Sequence, residues 1–299
     1  MTEQEKELEQ AALEYARSNK KRIARNLTDR QRYPSETHPV SVFMAGSPGA
    51  GKTEFSKQYL HLLQESSGFE ILRIDPDDYR GLIPGYVGDN SWLVQGAVTI
   101  ITEKVLDLAL EQKQSFLLDG TFADWPKSKS NISRCLGRGR DVEVLYVYQP
   151  PEQAWRFVQA REAQEGRMVP FTRFVDIFFR AHEAVKAALQ EFGENIRVQV
   201  LVKPIDNGRH VLHSDVSDLD KVLRISMTRD LRAMPTGAIM KQHAHPTPSV
   251  SETRFAHFTR SASHAERQSL LVRAMRAATE DQRKVIKAYE AGTQKLAAR

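Results

Sequence analysis

Cysteine is nearly absent from this chain: Cys135 is the one cysteine in 299 residues. A single thiol cannot close an internal disulfide, so no disulfide framework holds the fold, and this usage fits a reducing cytoplasm. Long apolar runs are missing too, none approaching the roughly 18 residues that a membrane span needs. The opening residues, Met1-Thr2-Glu3-Gln4-Glu5-Lys6-Glu7, are acidic and polar, unlike a secretory signal. Neither sign of charge dominates. Lys and Arg total 43 against 38 Asp and Glu, a net +5, which bound nucleotide phosphates can account for, so nucleic-acid binding does not follow. No internal repeat is found. What remains is an ordinary globular composition, 40% hydrophobic and 27% charged, with room for one large or two modest domains.

Against that plain background one stretch stands out. Gly46-Ser47-Pro48-Gly49-Ala50-Gly51-Lys52-Thr53 spells a full nucleotide-phosphate loop. It follows the apolar run Val42-Phe43-Met44-Ala45 and precedes a helical pattern with Phe55, Tyr59, Leu62 and Leu63 on one face. A strand entering and a helix leaving let backbone N–H groups converge on a β-phosphate at the helix N-terminus. Lys52 is placed to reach the β- and γ-phosphates and Thr53 to offer its hydroxyl to Mg²⁺. The chain is expected to bind a nucleoside triphosphate, ATP or GTP.

Strands and helices alternate around this loop. Strands are expected at 69–75, 115–119, 142–148 and 196–202, and Asn207-Gly208 marks a turn towards 209–212. Helices are expected at 3–27, from Asn90-Ser91 to about 112, and at 126–136, 151–164 and 172–192. This alternation indicates an α/β fold, a mostly parallel sheet covered on both faces, with the ligand at the carboxyl ends of the strands. The expected organisation is a helical extension at 1–38, a phosphate-loop kinase domain at 39–214, and a linker with a helical region at 215–299. The last region carries a long helical pattern to 298 with Leu270, Leu271, Ala274, Ala277 and Ala278 on a weak face.

A phosphate loop alone does not separate a kinase from a switch or a motor; the acids and arginines downstream do. Asp119 ends a strand, where such proteins keep a carboxylate near Mg²⁺, though a strand-end Asp also caps turns. Thr121 follows at the same rim and either bonds substrate or stabilises the turn. Asp75, Asp77 and Asp78 end the second strand. Three carboxylates beside a triphosphate repel it unless they serve magnesium or accept a substrate proton, and Asp77 is the candidate base; the other reading is a helix cap. Arg161 and Arg167 bracket Gln164-Glu165-Gly166, where forked donors on a lid match the oxygens of a transferring phosphoryl group, or else form a solvated charged face. His243 and His245 lie in a proline-rich stretch without metal-ligand partners, and Trp155, Phe157, Phe171, Phe174, Phe178 and Phe179 read as packing.

Taken together, these elements resemble the zeta-toxin family of phosphate-loop kinases, over about Val40 to Leu212. The matching residues are the loop 46–53, Ile74-Asp75-Pro76-Asp77, Asp119-Gly120-Thr121, and Arg161 with Gly166-Arg167-Met168-Val169-Pro170. The resemblance implies transfer of a γ-phosphate to the 3′-hydroxyl of the amino sugar of UDP-N-acetylglucosamine, obstructing cell-wall synthesis. It implies that Lys52 contacts the phosphates, Thr53 the magnesium, and that Asp77 is the base. Glu103 falls on a substrate-binding acid, Asp119 and Thr121 on the substrate and metal cleft, and Arg161 and Arg167 on the arginines that stabilise the transferring group. Three departures concern the acceptor. Asp119 stands where some members have glutamate, Gly166-Arg167 where many have Gly-His, and Phe122-Ala123-Asp124 lacks a basic residue often found there. The fold also hosts kinases of antibiotics and dinucleotides, and a nucleotide-dependent regulatory module is the reading from another class, with the carboxy-terminal helix as its partner surface. A helical antitoxin, separate or supplied in cis by the amino-terminal helix, is an implied partner that blocks the nucleotide cleft.

Overall fold

The computed structural model describes residues 1–64, 70–165, 169–203, 210–223 and 254–297. Its centre is a six-stranded sheet ordered β2-β3-β1-β4-β5-β6, where β1 is Val40–Ala45, β2 Leu72–Ile74, β3 Phe116–Leu118, β4 Asp141–Tyr148, β5 Arg197–Val202 and β6 Val211–His213. All neighbours are parallel except β5 and β6, which pair antiparallel. The helices are α1 Glu3–Leu27, α2 Lys52–Gln64, α3 Gln95–Glu111, α4 Trp125–Leu136, α5 Pro151–Glu165, α6 Phe171–Phe192, α7 Arg254–Ser261 and α8 His264–Ala297.

Both faces of the sheet are covered, which is why β1 is buried at every position and reads as a near-continuous apolar run. The pleat sends alternate residues to opposite layers. Phe43 and Ala45 join a core with Val98, Val105, Ile132 and Val185 beneath α3, α4 and α6. Val42 and Met44 join a second core with Phe55, Tyr59, Phe255, Leu271 and Met275, covered by α2, α7 and α8. Tyr59 stacks on Phe55 at 5.7 Å between ring centroids and meets Phe255 and Phe258 edge-on. On α2 Phe55, Tyr59 and Leu63 are buried as expected, Leu60 is buried in addition and Leu62 only partly, because α7 and α8 widen the covered face beyond the expected stripe.

The carboxy-terminal region is therefore not an appendage. Leu271, Ala274, Met275 and Ala278 lie at i, i+3, i+4 and i+7 and are fully buried on α2, so the apolar face expected to meet a partner is used inside the domain. Residues 224–253, with His243 and His245, lie outside the described residues, as do Asn207 and Gly208 of the expected turn.

Helix α1 opens with a reciprocal cap: Glu5 N–H donates to Thr2 Oγ1 at 3.2 Å, and Thr2 N–H to Glu5 Oε2 at 2.6 Å. It packs along α3, burying Ala12, Ala16, Ile23 and Ala24. Its exit is tied down by Gln112 Nε2, which donates to Thr28 Oγ1 at 3.2 Å, and by Gln114 Nε2, which donates to the Thr28 carbonyl at 3.0 Å. Helix α1 lies mainly along α3 and reaches the loop at Gly85 through Leu8, while the carboxy-terminal helix that hydrogen-bonds to the phosphate loop is α8. Helix α3 begins at Gln95, later than expected, because residues 91–94 form a turn.

Candidate active site

The loop between β1 and α2 adopts the conformation its glycines allow. Gly49 has φ +73°, and a Cβ there would meet the Ala154 carbonyl oxygen of α5 at 2.0 Å, so only glycine fits both the angle and the space. Ala50 N–H donates to the Ser47 carbonyl at 3.2 Å, and Gly46 N–H to the Thr121 carbonyl at 3.1 Å, anchoring the loop to the tip of β3. Pro48 lies in the turn of the loop, and Thr53 in the first turn of α2.

Lys52 starts α2 and is 9% exposed, its Nζ donating to the Ser47 carbonyl at 2.7 Å. Burial pushes this ammonium down to about 8. Asp119, Glu54 and Asp77 oppose that shift and Arg161 adds to it, so three carboxylates and a guanidinium act on one ammonium. The charges of the strand-tip acids and of Arg161 are thus felt at the loop lysine.

The acids at the strand tips are organised by a residue the sequence reading passed over. Arg73 of β2 donates from Nη2 to Asp119 Oδ2 at 2.7 Å and to Asp75, from Nη1 to Asp78 Oδ2 at 2.7 Å, and from Nε to Ser56 Oγ at 3.0 Å. Burial alone would lower its pKa, but Asp119 and Asp75 outweigh it and raise it. Asp119 is 4% exposed and also accepts from Ser56 Oγ at 2.6 Å. Asp75 is pushed up to about 7, first by burial and then by the Asp119 charge, with Arg73 pulling the other way. The signal for Arg73 was present: a cluster of acids at neighbouring strand ends needs a cation, and this one precedes Asp75 by two residues.

Asp77 caps no helix through its side chain. Its N–H donates to Asp75 Oδ1 at 2.8 Å, and its half-exposed carboxylate pairs with buried Arg80 at 2.9 Å. Glu103 of α3 pairs with Lys127 of α4 at 3.0 Å, and both line a pocket with Asp119, Thr121 and Asn131. Lys127 thus supplies a basic group at this rim although Phe122-Ala123-Asp124 holds none. Asp124 itself caps α4, accepting from Lys127 N–H at 3.3 Å. Thr121 Oγ1 accepts from Ala123 N–H at 3.4 Å.

Arg161 lies on α5, 3.9 Å from Glu54 and over the Phe157 ring. Glu54 Oε2 is buried without a hydrogen-bond partner among the described residues. Arg167, with Gly166 and Met168, lies outside the described residues. The aromatic residues after Arg167 pack together, Trp155 meeting Phe171 at 5.0 Å and Phe174 at 5.2 Å.

Among solved structures the AvrRxo1-ORF1:AvrRxo1-ORF2 complex with ATP is 16% identical, covering 95% of this chain and 88% of that one at a TM-score of 0.50. The PezAT toxin–antitoxin system of the human pathogen Streptococcus pneumoniae is 18% identical over 67% and 77%, at 0.49. Shikimate kinase from Acinetobacter baumannii in complex with shikimate is 20% identical over 66% and 97%, at 0.35. At such identities these likenesses concern the fold. No curated protein sequence matches the chain. The Zeta toxin family model, however, matches residues 24–217, nearly two thirds of the length, a range that takes in the phosphate loop, the strand-tip acids, Arg161 and Arg167. With that match, the chain belongs to the Zeta toxin family.

Proposed function

We propose that the chain is a small-molecule kinase that moves the γ-phosphoryl group of ATP or GTP to an alcohol, the leading acceptor being the 3′-hydroxyl of the amino sugar of UDP-N-acetylglucosamine. Membership of the Zeta toxin family supports a phosphotransferase. The observation that carries the reading is the placing of strand-tip acids at the phosphate loop, where Asp119 is bonded to Ser56 of α2 and to Arg73, Arg73 to Asp75, and Asp75 to the Asp77 N–H, because a nucleotide switch needs no acceptor-side base.

The loop amides and Lys52 cradle the phosphates, with Ser47, Pro48 and Ala50 shaping the loop between its glycines. Arg161, with Arg167 from the lid, stabilises charge on the transferring group. Asp77 accepts the acceptor's hydroxyl proton, and Arg80 holds its carboxylate in place meanwhile. Glu103, Asp119 and Thr121 meet the acceptor from the pocket between α3 and α4. The residues fit a magnesium ion: Thr53 and Asp119 offer hard oxygens, and Asp119 makes its bonds to Arg73 and Ser56 through Oδ2, leaving Oδ1 for a metal-bound water. Magnesium, when bound, neutralises charge on the β- and γ-phosphates.

Depletion of a cell-wall precursor makes such a chain a toxin that requires an antitoxin. A separate helical protein suits that role better than α1, which is held on α3. The regulatory-module reading loses its main feature now that the apolar face of α8 is covered by α2. An antibiotic or a dinucleotide as acceptor is tested alongside the leading one. The full chain is incubated with ATP or GTP, Mg²⁺ and a panel of nucleotide sugars, aminoglycosides and dinucleotides, and products are weighed for the gain of one phosphate. Phosphorylated UDP-N-acetylglucosamine that disappears in Asp77→Asn supports the reading; no phosphorylated product from any acceptor refutes it.

A further inference from the structure

Helix α8 lies beyond the stretch matched by the family model, yet it reaches the phosphate loop. Gln282, 3% exposed, reaches the loop with one end of its side chain and a neighbouring cation with the other. Its Nε2 donates to the Gly49 carbonyl at 3.0 Å, and its Oε1 accepts from Lys203 Nζ at 2.6 Å. Lys203 follows the last residue of β5 and is 2% exposed. Its ammonium sits against Gly51: a Cβ there would lie 2.2 Å from Nζ. Gln149, beyond the end of β4, lies against the same loop and, with its amide nitrogen turned inward, donates to the Gly49 and Ala50 carbonyls at 3.3 and 3.2 Å.

An amide can hold a carbonyl and an ammonium at once, donor on one and acceptor on the other. A buried ammonium held by an amide is costly, because a dipole replaces only part of the lost hydration. Burial pushes Lys203 down to about 7, Glu54 opposing and Lys52 adding to the shift. Such a cation beside a phosphate loop recovers a counter-charge when a polyphosphate arrives. A purely structural amide would tie α8 to α2, which Gln58 already does by donating to Asp281 at 3.0 Å, or to α5, which Arg156 does by pairing with Glu290 at 2.8 Å. Gln282 spends both ends on the loop and its neighbouring cation instead.

We propose that α8 is part of the nucleotide site, with Gln282 as a positioning residue that holds the loop through the Gly49 carbonyl and keeps the Lys203 ammonium against Gly51 as a second cationic support for bound polyphosphate. This rests on the kinase reading above. Its test is equilibrium binding of Mg·ATP to the full chain, with thermal unfolding of the nucleotide-free protein alongside, for the wild type and for Lys52→Ala, Gln282→Ala, Lys203→Met, Asp281→Asn and Glu290→Gln. Loss of one hydrogen bond to the loop or of one cation predicts about tenfold weaker ATP binding in Gln282→Ala and in Lys203→Met. Asp281→Asn and Glu290→Gln, which loosen α8 elsewhere, are expected to bind within about twofold of wild type. Wild-type affinity in both Gln282→Ala and Lys203→Met would overturn the inference. So would equal losses in all four variants that follow their unfolding temperatures, since that is what a merely structural helix predicts. A wild-type chain that fails to bind Mg·ATP, or a Lys52→Ala variant that binds it equally well, would instead remove the kinase reading beneath it.

Discussion

Arg73 Nη2 lies 2.7 Å from Asp119 Oδ2, joining the tips of β2 and β3 directly over the first turns of α2. The same guanidinium meets Asp75, Asp78 and Ser56, so one cation allows a cluster of carboxylates to stand beside a phosphate site.

Arg73→Leu removes that cation and leaves Asp75 and Asp119 facing each other in a buried setting. Breaking a buried ion pair from one side costs roughly 3–5 kcal/mol. Urea unfolding at pH 7 is expected to show a loss of this order, and a smaller one at pH 5, where Asp75 is protonated. A loss below about 1 kcal/mol at pH 7 would mean that water, not Arg73, screens the cluster.

Asp75 binds its proton more tightly folded than unfolded, being raised to about 7 from 3.8. The unfolded state therefore releases the proton first, and the folded state becomes the one that must carry an unfavourable charge. The penalty is absent below about pH 4, grows as pH rises, and levels off above about 7. Asp75→Asn removes the titration, so its stability relative to wild type should rise across that window. Parallel stability curves for the two proteins between pH 4 and 7 would contradict it.

Lys203 shows the opposite protonation change, its pKa lowered by burial to about 7 from 10.5. Above the unfolded value both states are neutral. As pH falls from about 10 to 7 the unfolded chain gains a proton that the folded one resists, and stability is lost. Lys203→Met is expected to unfold at higher denaturant than wild type at pH 7, by roughly 1–3 kcal/mol, a fraction of the cost of burying an ion. The advantage should shrink towards pH 9.5. A variant less stable than wild type at pH 7 would show that Gln282 repays the burial fully.

Asp77→Asn is expected to lower kcat about 10²–10⁴-fold, as loss of a general base does, with ATP affinity retained. Arg161→Ala is expected to lower kcat about 10²–10³-fold, as removal of a donor to developing charge does, with a smaller change in KM. Steady-state kinetics on the confirmed acceptor separates these from effects on binding. A raised KM with unchanged kcat in Arg161→Ala would assign that residue to ground-state binding alone.

Much of the frame was legible because its signals are local. The loop 46–53 needs glycine where the backbone turns, and the structure uses Gly49 at φ +73° against an α5 carbonyl. The strand-tip acids are legible because a parallel sheet buries its strands, so a charge can stand only where a strand ends. Arg73 was harder, since a cation between two apolar positions on β2 reads as an outward residue until the turn after β2 and the end of β3 supply its anions. Lys127 was hidden by spacing: it lies on α4, not in the segment after Thr121 where a basic residue was sought, and only packing of α3 on α4 brings it to Glu103. Nothing near Gln282 in the chain hints at Gly49, more than 200 residues away.

By itself the sequence determined the alternation of strands and helices, the phosphate loop, and which acids end which strands. Each depends on hydrophobic period, glycine conformation or burial along a few consecutive residues. Tertiary structure alone decided which cations neutralise those acids, where α1 lies, and that α8 closes a face of the sheet and touches the loop. Those are meetings between distant segments. Charge pairing and packing are set by distance in space, and a chain records only distance along itself.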